Sequence, residues 1–87
     1  MTARALTWTP EALDDVAPLP RDQRERIVRS VERWAASDHG DIRTVQNLGD
    51  ATYRLRVGQW RVLLALDSTA HAATILRVLP RGSAYKP

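Results

Sequence analysis

The 87-residue chain has no cysteine and no phenylalanine, and only five aromatic residues: Trp8, Trp34, Trp60, Tyr53 and Tyr85. Without cysteine it can build neither a disulfide framework nor a thiolate metal site. Scarce aromatics leave the core to Leu, Val, Ile and Ala. The longest uninterrupted apolar run is Val62 to Leu66, far short of the ~20 residues that span a bilayer. No charged-then-apolar leader opens the chain, so the expected address is the cytoplasm, with no membrane partner. His39 and His71 stand apart in expected loops, so no metal and no cofactor is expected. No Ser/His/acid arrangement is visible. The Pro80-Arg81-Gly82-Ser83 segment has one glycine, too weak a signal for a phosphate loop. Conventional hydrolase chemistry drops out.

What the chain does have is arginine. Twelve of its thirteen basic residues are Arg, the exception being Lys86, and the net charge is +3. Residues 42–87 hold seven cations against Asp50 and Asp67, net +5, while residues 1–41 hold six arginines against eight acids, net −2. Such polarity is the usual electrostatic footprint of a nucleic-acid or phosphate partner. Guanidinium, planar and always charged, suits phosphate better than a lysine ammonium does.

The pattern of apolar residues predicts one domain over residues 1–87, small enough that roughly three-fifths of its unfolded surface can be buried. Ala3 to Trp8 reads as a short strand with Leu6 and Trp8 on one face. Thr9 is an expected N-cap, followed by Pro10 at the first helical position and Glu11 in the first turn. That helix runs to about Ala17 and is expected to bury Leu13 and Val16, until Pro18-Leu19-Pro20 breaks it. A second helix spans about Pro20 to Ala36, with Ile27, Val28, Val31, Trp34 and Ala35 in one stripe and Glu25 and Arg29 paired four apart. Residues 37–41 read as a loop, and Val45 to Leu48 as a short strand or extended connector. Three antiparallel strands follow, Thr52–Val57, Trp60–Asp67 and Ala72–Leu79.

Gly58-Gln59 supplies a two-residue hairpin turn, with glycine at the first central position as a type II′ turn wants. That turn sets Val57 opposite Trp60, Arg56 opposite Arg61, and Arg54 opposite Leu63. Strand alternation then puts Leu55, Val57, Val62, Leu64 and Leu66 on one face and Arg54, Arg56 and Arg61 on the other. In the last strand the same alternation assigns Leu76 and Val78 to the apolar side, and Arg77 and Arg81 to the arginine side. Like charges opposite one another repel, so five arginines on one face imply a bound anion. The helices need the apolar face, leaving the arginine face open. The expected architecture is α+β, with an N-terminal strand and a helical hairpin packed on one face of an antiparallel sheet.

The segment Tyr53-Arg54-Leu55-Arg56-Val57-Gly58-Gln59-Trp60-Arg61-Val62, followed by Ile75-Leu76-Arg77-Val78, Arg81 and the terminal Tyr85, resembles the RelE/ParE superfamily of bacterial type II toxins. The resemblance implies a RelE-like β-α-α-β-β-β domain that forms a hetero-oligomer with a cognate antitoxin protein. For RelE-type members it implies cleavage of messenger RNA in the ribosomal A site by a basic cluster and a terminal tyrosine. Matched by position, the catalytic set is Arg54, Arg56, Arg61, Arg81 and Tyr85, and the nucleic-acid-binding set is Arg54, Arg56, Arg61, Arg77 and Arg81.

RNA brings its own nucleophile, the 2′-hydroxyl. A cleaving protein need only orient it, neutralise the crowded phosphate and protonate the leaving 5′-oxygen, and guanidiniums suit the second task. Some relatives carry lysine at the two first-strand positions and histidine or lysine where this chain has Pro80. Arginine does not readily lose its proton, so here both first-strand residues act electrostatically. Two other readings stay open: a ParE-like gyrase inhibitor, and a non-catalytic RNA- or protein-binding module. Trp60 belongs to the apolar face by parity and is expected to be core, while Tyr85 either stacks on a base or packs on the sheet edge.

Overall fold

The computed structural model describes residues 3–45 and 52–82. Strand β1 (Ala5–Trp8) leads into helix α1 (Pro10–Val16) and helix α2 (Arg21–Ser37). Strands β2 (Asp41–Thr44), β3 (Thr52–Val57), β4 (Trp60–Asp67) and β5 (Ala72–Pro80) complete one five-stranded sheet of order β1-β5-β4-β3-β2. β1 runs parallel to β5, and the other pairs are antiparallel. The architecture is α+β, as expected, with a strand at Asp41–Thr44 that the sequence pattern did not show.

Thr9 explains the sharp exit from β1. Its Oγ1 accepts from the Ala12 amide at 3.1 Å, capping α1, and its hydroxyl hydrogen points between the carbonyl oxygens of Ile75 and Leu76 at 2.9 and 3.0 Å. The cap residue thus ties the helix start to β5. Helix α2 ends on Asp38, which adopts φ 59° and returns its amide to Trp34 O at 2.8 Å. Arg4 braces the same end: it pairs with Asp38, lies 4.6 Å from the Trp34 ring centroid, and donates its amide to Ala35 O. The Glu25–Arg29 pair forms at 3.8 Å, with Arg21 closer to the same carboxylate at 2.9 Å.

The core lies between the two helices and one face of the sheet. Ala12 and Val16 of α1, with Ile27, Val31, Trp34 and Ala35 of α2, meet Leu55, Val57, Val62, Leu64, Ala73, Ile75 and Val78. Each large aliphatic chain buried here contributes roughly 1.5–3 kcal/mol. Gly58 has φ +57°, and the hairpin register is Val57↔Trp60, Arg56↔Arg61 and Arg54↔Leu63, as the turn predicts.

Four expectations fail, each for a physical reason. Leu13 is 51% exposed while Ala12 is fully buried; in a seven-residue helix the pair Ala12 and Val16, four apart, sets the inward stripe. Leu76 is not core. A bulge opposite Leu63/Leu64 leaves it without a partner, so Ile75 and Val78 face inward and the parity of the strand changes between them. Asp41, expected to close a loop, instead begins an edge strand, Asp41–Thr44, held through the pairing of Ile42 with Leu55. Finally, β1 starts at Ala5, two residues later than expected. Of the connector expected at Val45 to Leu48, Val45 donates its amide to Thr52 O at 3.0 Å, and the rest lies outside the described residues.

Candidate nucleic-acid interface

Cross-strand pairing lays the arginines out in two rows on the sheet face away from the core. One row runs Asp41, Arg56, Arg61 across β2, β3 and β4, and the next runs Arg43, Arg54, Leu63. Arg81 follows directly after β5. Its amide donates to Gln59 O at 2.7 Å, which holds the end of β5 beside the hairpin turn.

Arg61 is the centre of the group. Its residue is only 6% exposed, and its Nη1 donates to Gly58 O at 3.1 Å and Trp60 O at 3.0 Å. Burial lowers the pKa of its guanidinium, and the positive charges of Arg56, Arg54 and Arg81 lower it further; Asp41 opposes them. The group stays charged all the same, since arginine does not titrate in the ordinary range. A buried cation surrounded by three others is costly unless an anion offsets it. The turn carbonyls fix its orientation before any ligand arrives, which is what electrostatic preorganisation requires.

Arg77 has a different fate. Its Nε and Nη2 donate to the two Asp15 carboxylate oxygens at 2.7 and 3.0 Å, and the Val78 amide donates to the same carboxylate at 2.8 Å. Burial by itself raises the Asp15 pKa, but the hydrogen bonds from Arg77 and Val78 outweigh it and leave the pKa lowered. The Asp15 hydrogen bond in turn raises the Arg77 pKa. Arg54, Arg56, Arg61 and Arg81 are therefore brought together electrostatically, whereas Arg77 is engaged by α1. Tyr85 lies outside the described residues.

Sequence reasoning missed two members of the group's surroundings. Asp41, assigned to a loop, is the acid that faces the cluster, and it also bridges Arg43 at 3.5 Å. The alternation Asp41-Ile42-Arg43 was the available signal, being the same polar–apolar–polar pattern as Arg54-Leu55-Arg56. Arg26 of α2 packs against the turn, its Nη1 2.9 Å from where a Cβ on Gly58 would stand. No group of metal-ligating side chains occurs among the described residues, and no described helix is long and apolar enough to cross a membrane. Chemically, the four guanidiniums can hold a phosphodiester and stabilise added negative charge on it. None of them can serve as a base near neutral pH.

No family model and no curated protein matches the sequence. Solved structures do match its fold. The toxin–antitoxin complex RelBE2 from Mycobacterium tuberculosis superimposes with a TM-score of 0.81 at 21% identity, covering 95% of this chain and 97% of that one. The archaeal RelE–RelB complex from Pyrococcus horikoshii gives 0.79 at 20% identity, over 95% and 100%. The isolated Escherichia coli RelE toxin gives 0.73 at 13% identity, over 94% and 88%. At these identities the likeness establishes a shared fold: the chain has the fold of RelE toxins.

Proposed function

We propose that this protein, built on the RelE toxin fold, is the toxin of a type II toxin–antitoxin pair and a ribosome-dependent messenger-RNA endoribonuclease. The observation that carries the reading is Arg61, buried at 6% exposure, fixed by two turn carbonyls and surrounded by Arg54, Arg56 and Arg81. In the reaction the RNA 2′-hydroxyl, giving its proton to water, attacks the adjacent phosphorus while the bond to the 5′-oxygen breaks. That oxygen takes a proton from water, leaving a 2′,3′-cyclic phosphate. Arg61, with Arg54 and Arg56, binds the non-bridging oxygens as they gain charge. Arg81 steadies the leaving oxygen. The relatives in fold include toxins solved with their antitoxins. An acidic, partly disordered antitoxin segment that folds on binding would complement the basic face here and mask it.

The experiment is to map cleavage of messenger RNA in a translating extract with the wild-type protein, beside a gyrase supercoiling assay. Ribosome-dependent cuts with gyrase unaffected support the reading. Because all four clustered residues are arginines, a second reading deserves a place: a module that binds RNA without cutting it. That second reading requires ribosome or RNA binding with intact message.

A further inference from the structure

Two clefts open at the tip of the β3–β4 hairpin, both lined by Gln59 and Trp60. The smaller, about 210 Å³, lies against Gln23 and Arg26 of α2. The larger, about 490 Å³, is lined by Gln59, Trp60, Pro80 and Arg81, within the range of small-molecule sites of roughly 300–1,000 Å³. Trp60 and Pro80 are directly paired across β4 and β5, so an indole and a pyrrolidine ring sit side by side. Trp60 is half-buried, packing against the core while lining both clefts. The Arg81 amide donates to Gln59 O, tying two of the lining residues together, and the Arg81 charge is one of those acting on Arg61.

These groups match one ligand chemistry. A flat aromatic surface stacks a heterocycle without regard to sequence, a carboxamide both donates to and accepts from its edge, and a guanidinium takes the attached phosphate. We infer that the larger cleft is a subsite for one unpaired nucleobase of a single-stranded RNA, next to the phosphate held by the arginines. This rests on the proposed function and adds a place for the base. It also changes the role of Trp60, which serves as both core and platform.

The test uses a non-cleavable 2′-O-methyl trinucleotide and an abasic backbone carrying the same charges, each end-labelled and titrated by anisotropy. Wild-type protein should prefer the trinucleotide, with quenching of tryptophan fluorescence. Trp60→Leu should weaken the trinucleotide by roughly 5–150-fold, the usual effect of one stacked base, and leave the abasic backbone unchanged. Trp60→Phe, which keeps a ring, should restore most of the preference. Equal binding of the two probes by wild-type protein overturns the inference, as does a folded Trp60→Leu that keeps the full preference. Should Trp60→Leu not fold, the wild-type comparison and Gln59→Ala, which should lose part of the preference, still decide it. Cleavage in a translating extract is scored separately, so a lost base subsite with intact cleavage removes this inference and leaves the endoribonuclease standing.

Discussion

Arg61 and Arg77 come from neighbouring strands of one sheet, yet the molecule treats them in opposite ways. Arg77 meets a carboxylate that accepts two of its hydrogen bonds, and its pKa rises. Arg61 meets two carbonyls, three other arginines and one opposing acid, and its pKa falls. A strand position alone does not make an arginine functional. What distinguishes the two is whether the fold supplies the counter-charge. Around Arg77 it does, and the residue becomes a fastener between α1 and β5. Around Arg61 positive charge is in excess, and the proposed function assigns its balance to a bound phosphate.

Breaking the core beneath the sheet should have the largest effect on stability. Ile75→Ala should cost about 2–5 kcal/mol in chemical unfolding, whereas Leu76→Ala, at the bulge, should cost far less. Equal losses would contradict the observed register. Next comes the fastener. Asp15→Ala leaves the Val78 amide without its acceptor and should cost about 1–3 kcal/mol, measured by denaturant titration.

The same carboxylate gives a pH dependence with a definite sign. The folded pKa of Asp15 lies below its ordinary value. Its contribution to stability is therefore present above the unfolded value of about 3.9 and is lost as pH falls through the folded pKa. Thermal melts between pH 5 and pH 2, ranges set by that argument, should show an acid-labile component that Asp15→Asn lacks. A wild-type profile matching that of Asp15→Asn would remove the fastener from the account.

The smallest expected effect is electrostatic. If Arg54, Arg56, Arg61 and Arg81 each neutralise one phosphate, single-stranded RNA binding should weaken with salt along a log–log slope near about −3. Arg77→Ala should leave that slope unchanged. A zero slope for the wild type would remove nucleic acid from the partners.

The hairpin was readable because two local signals agreed. Gly58 permits the turn, and the alternation on both sides of it allows only one register to bury Leu55 and Leu64. The cluster of Arg54, Arg56 and Arg61 follows from that register alone. Leu76 was misread because a bulge adds a residue without any glycine or proline to announce it, so parity carried past Ile75 inverts. Edge strand β2 was hidden because it presents one apolar residue, Ile42, and gains its place through pairing with β3. Leu13 and Ala12 show the same limit in a short helix, where hydrophobicity favours leucine but geometry buries alanine. The Asp15–Arg77 pair joins residues 62 positions apart, and no local pattern points to it.

The comparison between the two arginines is tested most directly by single-turnover messenger-RNA cleavage in a translating extract. Wild type, Arg61→Ala, Arg81→Ala and Arg77→Ala would be measured side by side, each normalised to folded protein. Loss of one preorganised donor usually slows the chemical step by roughly 10²–10³. Arg61→Ala and Arg81→Ala should show that loss, while Arg77→Ala should cut at nearly the wild-type rate and lose stability instead. If the Arg61 and Arg81 variants cleave as the wild type does, or if Arg77→Ala is as impaired as they are, the division between site and fastener is wrong.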